Sequence, residues 1–344
     1  FLALVVGGSL LLFLLRAQVL KSESRFDLYS REMFLLFNNV VLICAAGLVL
    51  AGTLYPILFD VLGWGKISVG PPYFNTVFVP VSLFLLVLTG IGPLVNWKRH
   101  QFALLKRTLL QALVIALALG ALAVWLLNAG WDWIAFLALS VCVWVVWISL
   151  SEAYRKIRTA KAGFVAGVRR LALSYWGMVI AHIGIAVTVA GITMTATFDV
   201  ERDVRMAAGD RVDIGPYVFE FEGVREVQGP NFQSTEGIVN VFHDGEQIAS
   251  LHPEKRRYHV RRDVMTEAAI DPGFTRDLYV ALGEPLQDGS WAVRVYYKPF
   301  MRWVWGGGII MALGGFVALS DRRYRLQIKS KVTAAASALA GGNA

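Results

Sequence analysis

The sequence predicts an α-helical polytopic membrane protein of about seven spans, with a small all-β domain inserted between the last two. Of the 344 residues, 56% are hydrophobic and only 17% are charged, which excludes a typical soluble domain. Apolar runs recur along the chain, and about 20 apolar residues suffice to cross the hydrocarbon core of a bilayer. One segment breaks this pattern, because residues 197–300 are richer in charge and alternate with the period of two that is typical of strands.

The apolar runs predict spans at residues 1–15, 34–57, 75–95, 108–127, 131–151, 174–196 and 301–319. The first run is short and opens at Phe1 without a basic n-region, so we expect a fragment or a chain whose beginning lies upstream, not a signal peptide. The expected domains are a helical bundle of about six spans at 1–196, a β-domain at 197–300, the last span at 301–319, and a basic, partly disordered tail at 320–344.

The distribution of basic residues between the spans predicts the orientation of the chain. The loops after spans one, three and five and the tail carry four, four, six and five Lys or Arg residues. By contrast, loop 58–74 carries one and link 128–130 carries none. Cytoplasmic loops are the ones enriched in Lys and Arg. We therefore expect residues 197–300 outside the cytoplasmic membrane and the C-terminus in the cytoplasm.

Short strands are predicted throughout residues 197–300. Residues 217–225 alternate, with Phe219 and Phe221 on the face opposite Glu220, and Asp244-Gly245 is the signal of a type I′ hairpin. Further strands are expected at 256–262, 277–282 and 290–298, which together favour a small β-barrel or sandwich. Its basic cluster could attract an acidic partner or lipid head groups, or could be a solvated strand face; it consists of Lys255, Arg256, Arg257, Arg261 and Arg262.

Several functional classes are excluded by the sequence. The formal charge of +8 arises mostly from short loops between apolar runs, so it sets topology and does not indicate nucleic-acid binding. Cys44 and Cys142 lie in separate apolar runs, and no C-x-x-C, P-loop, G-x-S-x-G or H-E-x-x-H motif occurs. The histidines outside the spans lack metal-ligand spacing and are expected at the surface; they are His100, His243, His252 and His259.

The run at 175–196 contains one titratable side chain of special interest, His182. A row of small residues recurs there at steps of three and four, and would let a neighbouring helix approach closely; it consists of Ser174, Gly177, Ala181, Gly184, Thr188, Gly191 and Thr195. At 100° per residue, His182 points roughly 130° away from that row. An intramembrane imidazole can be an axial haem ligand or a proton relay. Equally, it can be a neutral side chain hydrogen-bonded to a carbonyl or to Ser or Thr on a neighbouring helix.

The loop before span three is dense in Gly, Pro and aromatic residues. A rigid platform there could rest against a flat aromatic ligand or a partner, and its candidate residues are Tyr55, Pro71, Pro72, Tyr73 and Asn75. The ordinary alternative is that the prolines begin a helix and the tyrosines anchor it at the interface. The residues alone leave both interpretations open.

Long stretches of the chain resemble one family, CcmF, the membrane subunit of the cytochrome c haem lyase in bacterial cytochrome c maturation. They include SREMFLLFNN at 30–39, GKISVGPPYFNTVFVP at 65–80, AHIGIAVTVAGI at 181–192, TEAAIDPGFTRDLYVALGEPL at 266–286 and YYKPFMRWVW at 296–305. Because they occur in the same order from the first loop to the last span, the resemblance covers nearly the whole chain.

The resemblance implies a haem lyase that works as part of a complex and attaches haem to apocytochrome c at the outer face of the bacterial inner membrane. It assigns His182, in the AHIG stretch, as one axial ligand of a haem b, which would pass electrons to the substrate haem. The implied partners are apocytochrome c, a haem chaperone, thiol-reducing maturation subunits and membrane lipid.

The sequence departs from the family pattern in three respects. It contains no tryptophan-rich WWD segment, which in the family holds the substrate haem, no outer-loop histidine before span two, and no second intramembrane histidine. The chain is therefore expected to be a C-terminal half, with the missing half upstream or on another chain. We assign no catalytic residue, and expect the chain alone to lack the complete active site.

A non-enzymatic interpretation competes with the lyase. In it, the chain is a membrane scaffold or transport subunit that docks periplasmic partners through its β-domain, and His182 only packs. A secondary transporter needs polar residues along a path at the middle of the membrane, which the nearly apolar spans three to five disfavour.

Overall fold

The computed structural model describes residues 1–17, 30–95, 102–127, 131–159, 163–260 and 263–321. Each predicted span corresponds to one helix, and a short helix, α6 (Phe164–Arg170), precedes the sixth. The others are α1 (Leu2–Arg16), α2 (Arg31–Val61), α3 (Pro71–Ile91), α4 (Phe102–Leu126), α5 (Trp133–Arg158), α7 (Leu173–Phe198) and α8 (Met301–Leu319). Six of them are long and apolar enough to cross a membrane, whereas α1 is shorter. The basic residues of 18–29, 96–101, 160–162 and 322–344 lie outside the described residues.

The chain divides into two compact units, Phe1–Phe78 with Leu94–Arg107 and Val79–Pro93 with Thr108–Ala344. In the first unit, α2 begins where Ser30 accepts a hydrogen bond from the Met33 amide at 3.3 Å, which satisfies one of the unpaired donors at the helix start. Further along α2, the absence of a side chain at Gly52 makes room for the ring of Tyr73. The Tyr73 hydroxyl then donates to the Leu48 carbonyl at 3.1 Å, so this side chain ties α3 to α2.

In the second unit, α5 is the most buried of the long helices and packs against α7. Its start is capped by Asp132, whose carboxylate accepts from the Ala135 amide at 2.6 Å. The Trp144 ring of α5 fills the space above Gly90, and its indole N–H donates to the Val87 carbonyl of α3 at 3.2 Å. Basic residues lie in the last turn of α5, where they complement the partial negative charge of the helix end.

The row of small residues on α7 packs against α8, which confirms the predicted close-approach face. A Cβ built on Gly177 would lie 2.5 Å from the Gly314 carbonyl oxygen, and one on Gly191 would lie 2.7 Å from the Val304 amide. Where α7 begins and α8 ends, the Ser174 amide donates to the Asp321 carboxylate at 3.1 Å. Where α7 ends and α8 begins, the Thr195 hydroxyl donates to the Pro299 carbonyl at 2.7 Å. The two helices therefore contact one another along their length.

The segment between α7 and α8 is a sandwich of two antiparallel sheets. Its strands are β1 (Val200–Met206), β2 (Arg211–Ile214), β3 (Tyr217–Gln228), β4 (Phe232–His243), β5 (Glu246–Leu251), β6 (Glu254–Tyr258), β7 (Val264–Glu267), β8 (Ala269–Pro272), β9 (Arg276–Pro285) and β10 (Trp291–Pro299). One sheet has the order β1-β10-β9-β8, and the other has β2-β3-β4-β6-β7 with β5 also paired to β4. Side chains from both sheets form one core, in which Phe219, Phe221, Val280 and Val295 are fully buried. Of the two predicted architectures, the structure has the sandwich.

Candidate functional site

His182 lies in the middle of α7 and faces α5, not α8. Its side chain is half-buried, and Nδ1 is 3.5 Å from the hydroxyl oxygen of Ser149 on α5. Ser149 itself is only 1% exposed. The helix periodicity thus separates two roles on α7, because the small residues face α8 while the imidazole meets a polar group on another helix.

Three residues follow one another by about one turn on the same side of α5: Ser149, Glu152 and Lys156. Glu152 is 4% exposed and makes ion pairs with Arg155 at 2.6 Å and with Lys156 at 3.5 Å. The Lys156 ammonium lies 4.1 Å from the centre of the Tyr175 ring, and Tyr175 precedes His182 by two turns of α7. We call these five residues, Ser149, Glu152, Lys156, Tyr175 and His182, the polar seam between α5 and α7.

Within the polar seam, the imidazole of His182 fits the role of one axial ligand of a haem. A neutral imidazole whose Nδ1–H is hydrogen-bonded presents the lone pair of Nε2, the arrangement that metal-bound histidines usually have. The other described histidines all lie in the β-sandwich, and His100 lies outside the described residues. Within the described ranges, no three His, Cys, Asp or Glu side chains are grouped so that they could hold a metal ion. The second axial ligand of a bis-histidine haem would have to come from elsewhere.

The proposed platform residues do different things in the structure. Tyr73 packs over Gly52 and is half-buried, so its role in the fold is to join two helices. The other four residues are exposed, namely Tyr55, Pro71, Pro72 and Asn75. The Tyr55 ring lies 4.4 Å from that of Phe59, which in turn lies 5.3 Å from the Trp64 ring. The sequence analysis did not single out Trp64, whose side chain is 67% exposed.

Two residues of the basic cluster in the β-sandwich, Lys255 and Arg256, are paired with acidic neighbours. Lys255 forms an ion pair with Glu284. Arg256 pairs with Glu254 at 2.9 Å and with Glu267 at 3.5 Å. Through its hydrogen bond to Glu254, Arg256 holds the pKa of that carboxyl below its ordinary value. These pairs favour an ion-paired strand face for both residues.

The remaining members of the cluster and the outer histidines were expected at the surface. Arg257 is exposed, and Arg261 and Arg262 lie outside the described residues. His252 is exposed as well, yet its Nδ1 lies 3.0 Å from the carboxylate of Glu236, which is only 7% exposed. This histidine therefore belongs to a hydrogen-bonded pair within the sandwich.

Sequence analysis missed the α5 side of the polar seam. Ser149 and Glu152 interrupt an apolar run at a spacing of three, which would have placed both on one helix face. The signal was present but weak, because polar residues near the end of a span are ordinary. Only the packing of α5 against α7 shows that Ser149 lies beside His182.

Comparison with known proteins places these features in a family. A family model described as the CcmF C-terminal beta-sandwich matches residues 197–299. The chain is 49% identical over 338 residues to the cytochrome c-type biogenesis protein CcmF of Pseudomonas aeruginosa, covering 96% of this chain and 50% of that protein. It is 45% identical over 335 residues to the protein of the same name from Escherichia coli, covering 97% of this chain and 50% of that protein.

A solved structure named Cytochrome c Heme Lyase CcmF has the same fold, with a TM-score of 0.69 at 24% identity. The match covers 86% of this chain and 46% of that one. The chain thus spans about half the length of the curated relatives it matches. Both the β-sandwich and the helical part are included in these matches, since each curated relative aligns over nearly all of the chain. The chain belongs to the CcmF family of cytochrome c-type biogenesis proteins.

Proposed function

We propose that this chain is half of a membrane subunit of the cytochrome c haem lyase, and that His182 is one axial ligand of a haem b bound in its helical bundle. The haem lyase activity is supported by the relatives, which are named cytochrome c-type biogenesis proteins, and by the solved structure, which is named a cytochrome c haem lyase. The single observation that carries the ligand assignment is the position of His182. Its imidazole lies in the middle of an apolar helix, with Nδ1 beside the buried hydroxyl of Ser149.

An imidazole inside a membrane carries an energetic cost. Ionisable groups are rare in spans, and those that occur usually serve a ligand, an ion or a proton. Helix α7 is held by α8 through its glycine face, so the backbone that carries His182 has a fixed position in this pair. A bound haem b would supply a one-electron redox centre, tuned by its axial ligands and their hydrogen bonds.

The complete reaction would need the half of the protein that this chain does not span. The substrate haem and the thiols of apocytochrome c would react at the outer face of the inner membrane. The protein would contribute mainly by holding these two reactants in the right orientation. Haem would arrive from a haem chaperone, and thiol-reducing subunits would keep the apocytochrome reduced. In this proposal the β-sandwich is periplasmic, the C-terminus is cytoplasmic, and the exposed Tyr55, Pro71, Pro72 and Asn75, with Tyr73 behind them, face the substrate side.

The test compares His182→Ala with His252→Ala in the purified full-length protein, using the pyridine haemochrome assay and a reduced-minus-oxidised spectrum. Loss of the b-type signal is expected for His182→Ala, because an axial ligand is removed. The control variant removes a histidine of the β-sandwich and should keep the signal. Unchanged haem b in His182→Ala, with the protein eluting normally on size exclusion, would contradict the ligand assignment.

The scaffold alternative is favoured by apolar side chains exposed on β7 and shortly before it. Val260 is 94% exposed, and Val264 and Met265 are 54% and 53% exposed, so a protein partner could bury them. If the chain only docks partners, neither histidine variant would change a haem spectrum. In that case, replacing residues 199–298 by a short linker should abolish partner pull-down, and intact pull-down would exclude docking through the sandwich.

A further inference from the structure

The hydroxyl of Ser149 is the polar group that the structure places beside His182. The two side chains come from different helices, and the distance from Ser149 Oγ to His182 Nδ1 is 3.5 Å. Around them α5 is apolar and tightly packed, with Val145 and Ile148 both fully buried. A hydroxyl in such surroundings needs a hydrogen-bond partner, because burying it unpaired removes its hydrogen bonds to water without replacing them.

We propose that Ser149 is the positioning residue of His182. By accepting a hydrogen bond from Nδ1–H, it selects the tautomer in which Nε2 keeps its lone pair for iron, and it fixes the rotation of the ring. This inference rests on the proposed function, in which His182 is a haem ligand, and it adds a second residue through which the protein controls that ligand.

The tautomer follows from the chemistry of the two groups. In a neutral imidazole, one nitrogen donates a hydrogen bond and the other accepts. A serine hydroxyl within a helix can send its own proton to a carbonyl one turn back, which leaves its lone pairs for a neighbour. With Ser149 only 1% exposed, little water competes for the imidazole proton. In the proposed arrangement, Nδ1 carries the proton and Nε2 is the metal-binding atom.

Neighbouring polar groups on α5 are committed elsewhere. The Ser151 hydroxyl donates to the Ile148 carbonyl of its own helix at 3.1 Å. Glu152 is engaged by Arg155 and Lys156 in ion pairs. Ser149 is thus the α5 side chain with the geometry to control the imidazole, and Ser151 provides a matched control two residues away.

The hydrogen bond has two measurable consequences. An acceptor on the far nitrogen raises the basicity of a metal-bound imidazole, which favours ferric over ferrous iron and lowers the reduction potential. Loss of such a partner typically weakens metal retention by about 10–100-fold. A residue with a purely structural role would lower the yield of folded protein without moving the potential of the haem that remains.

The experiment measures the midpoint potential of the co-purified haem b, and the rate at which apomyoglobin extracts it, in the full-length protein. Ser149→Ala should raise the potential and speed extraction about 10–100-fold. Ser149→Cys, which nearly keeps the volume but is a weak acceptor, should lie between Ser149→Ala and the unmodified protein. Ser151→Ala should behave like the unmodified protein.

An unchanged potential and extraction rate in Ser149→Ala would overturn the inference. If Ser149→Ala does not fold, the Ser149→Cys variant decides in the same way, because its packing is nearly unaltered. The haem-ligand role of His182 and the positioning role of Ser149 are distinguished by different variants. Retention of haem b in His182→Ala would overturn the proposed function itself, whereas its loss together with an unchanged Ser149→Ala would overturn only the role of Ser149.

Discussion

Single glycines determine how closely α7 and α8 approach. A Cβ on Gly184 would lie 2.7 Å from the Met311 amide and 2.8 Å from the Gly307 carbonyl oxygen, and these backbone atoms cannot move without separating the helices. We expect Gly184→Ala to lower the free energy of unfolding by about 1–3 kcal/mol, as overpacking generally does. The measurement is the thermal unfolding midpoint of the detergent-solubilised protein.

Gly308→Ala is the matched control for this prediction. A Cβ there meets nothing within 4 Å, so the substitution changes only helix propensity and should leave the midpoint equal or slightly raised. Equal midpoints for both variants would show that the close contact does not limit stability.

The two faces of α7 were predictable from residue spacing, but the neighbours of those faces were not. Steps of three and four placed the small residues on one side and His182 on another. Which helix each face would meet depends on tertiary packing, which no local pattern determines. The partner of His182 could therefore be described only as Ser, Thr or a carbonyl, and the structure identifies it as Ser149.

At the scale of secondary structure, strands with strong alternation and good turn signals were found, and the short or charged ones were missed. In the β4–β5 hairpin, Asp244 and Gly245 have φ of 51° and 85°, as the predicted type I′ turn requires. The missed β2, β7 and β8 have only four residues each. The missed β1 carries four charged residues in seven. Most of its side chains are exposed, so apolar and polar residues do not alternate clearly along it.

The contact between α3 and α5 depends on one large side chain. Trp144 is 8% exposed, covers Gly90 and donates to the Val87 carbonyl. We expect Trp144→Ala to cost about 3–5 kcal/mol, because it leaves a cavity between two helices. Trp147→Ala, three residues along the same helix where the side chain is 42% exposed, should cost much less. Thermal unfolding of both variants provides the comparison, and similar losses would contradict a special role for Trp144.

At the scale of the whole molecule, orientation in the membrane is predicted by the distribution of charge between the helices. Each of the seven apolar runs corresponds to a helix with approximately the expected bounds, and α6 is an additional short helix. The alternation of basic and non-basic loops predicts that the β-sandwich is periplasmic. Much of that basic charge belongs to residues outside the described ranges, so the orientation stays a prediction.

Labelling of single cysteines in intact spheroplasts tests this orientation. Gln287, in the exposed turn between β9 and β10, and Thr159, exposed at the end of α5, lie on opposite sides of the membrane in the predicted topology. A charged, membrane-impermeant maleimide should therefore label Gln287→Cys in intact spheroplasts, but should label Thr159→Cys only after lysis. The unmodified protein is the blank, because Cys142 is buried and Cys44 lies within the apolar helix α2. The reverse labelling pattern would place the β-sandwich in the cytoplasm, where it could not meet apocytochrome c at the outer face, and the proposed function would fail with it.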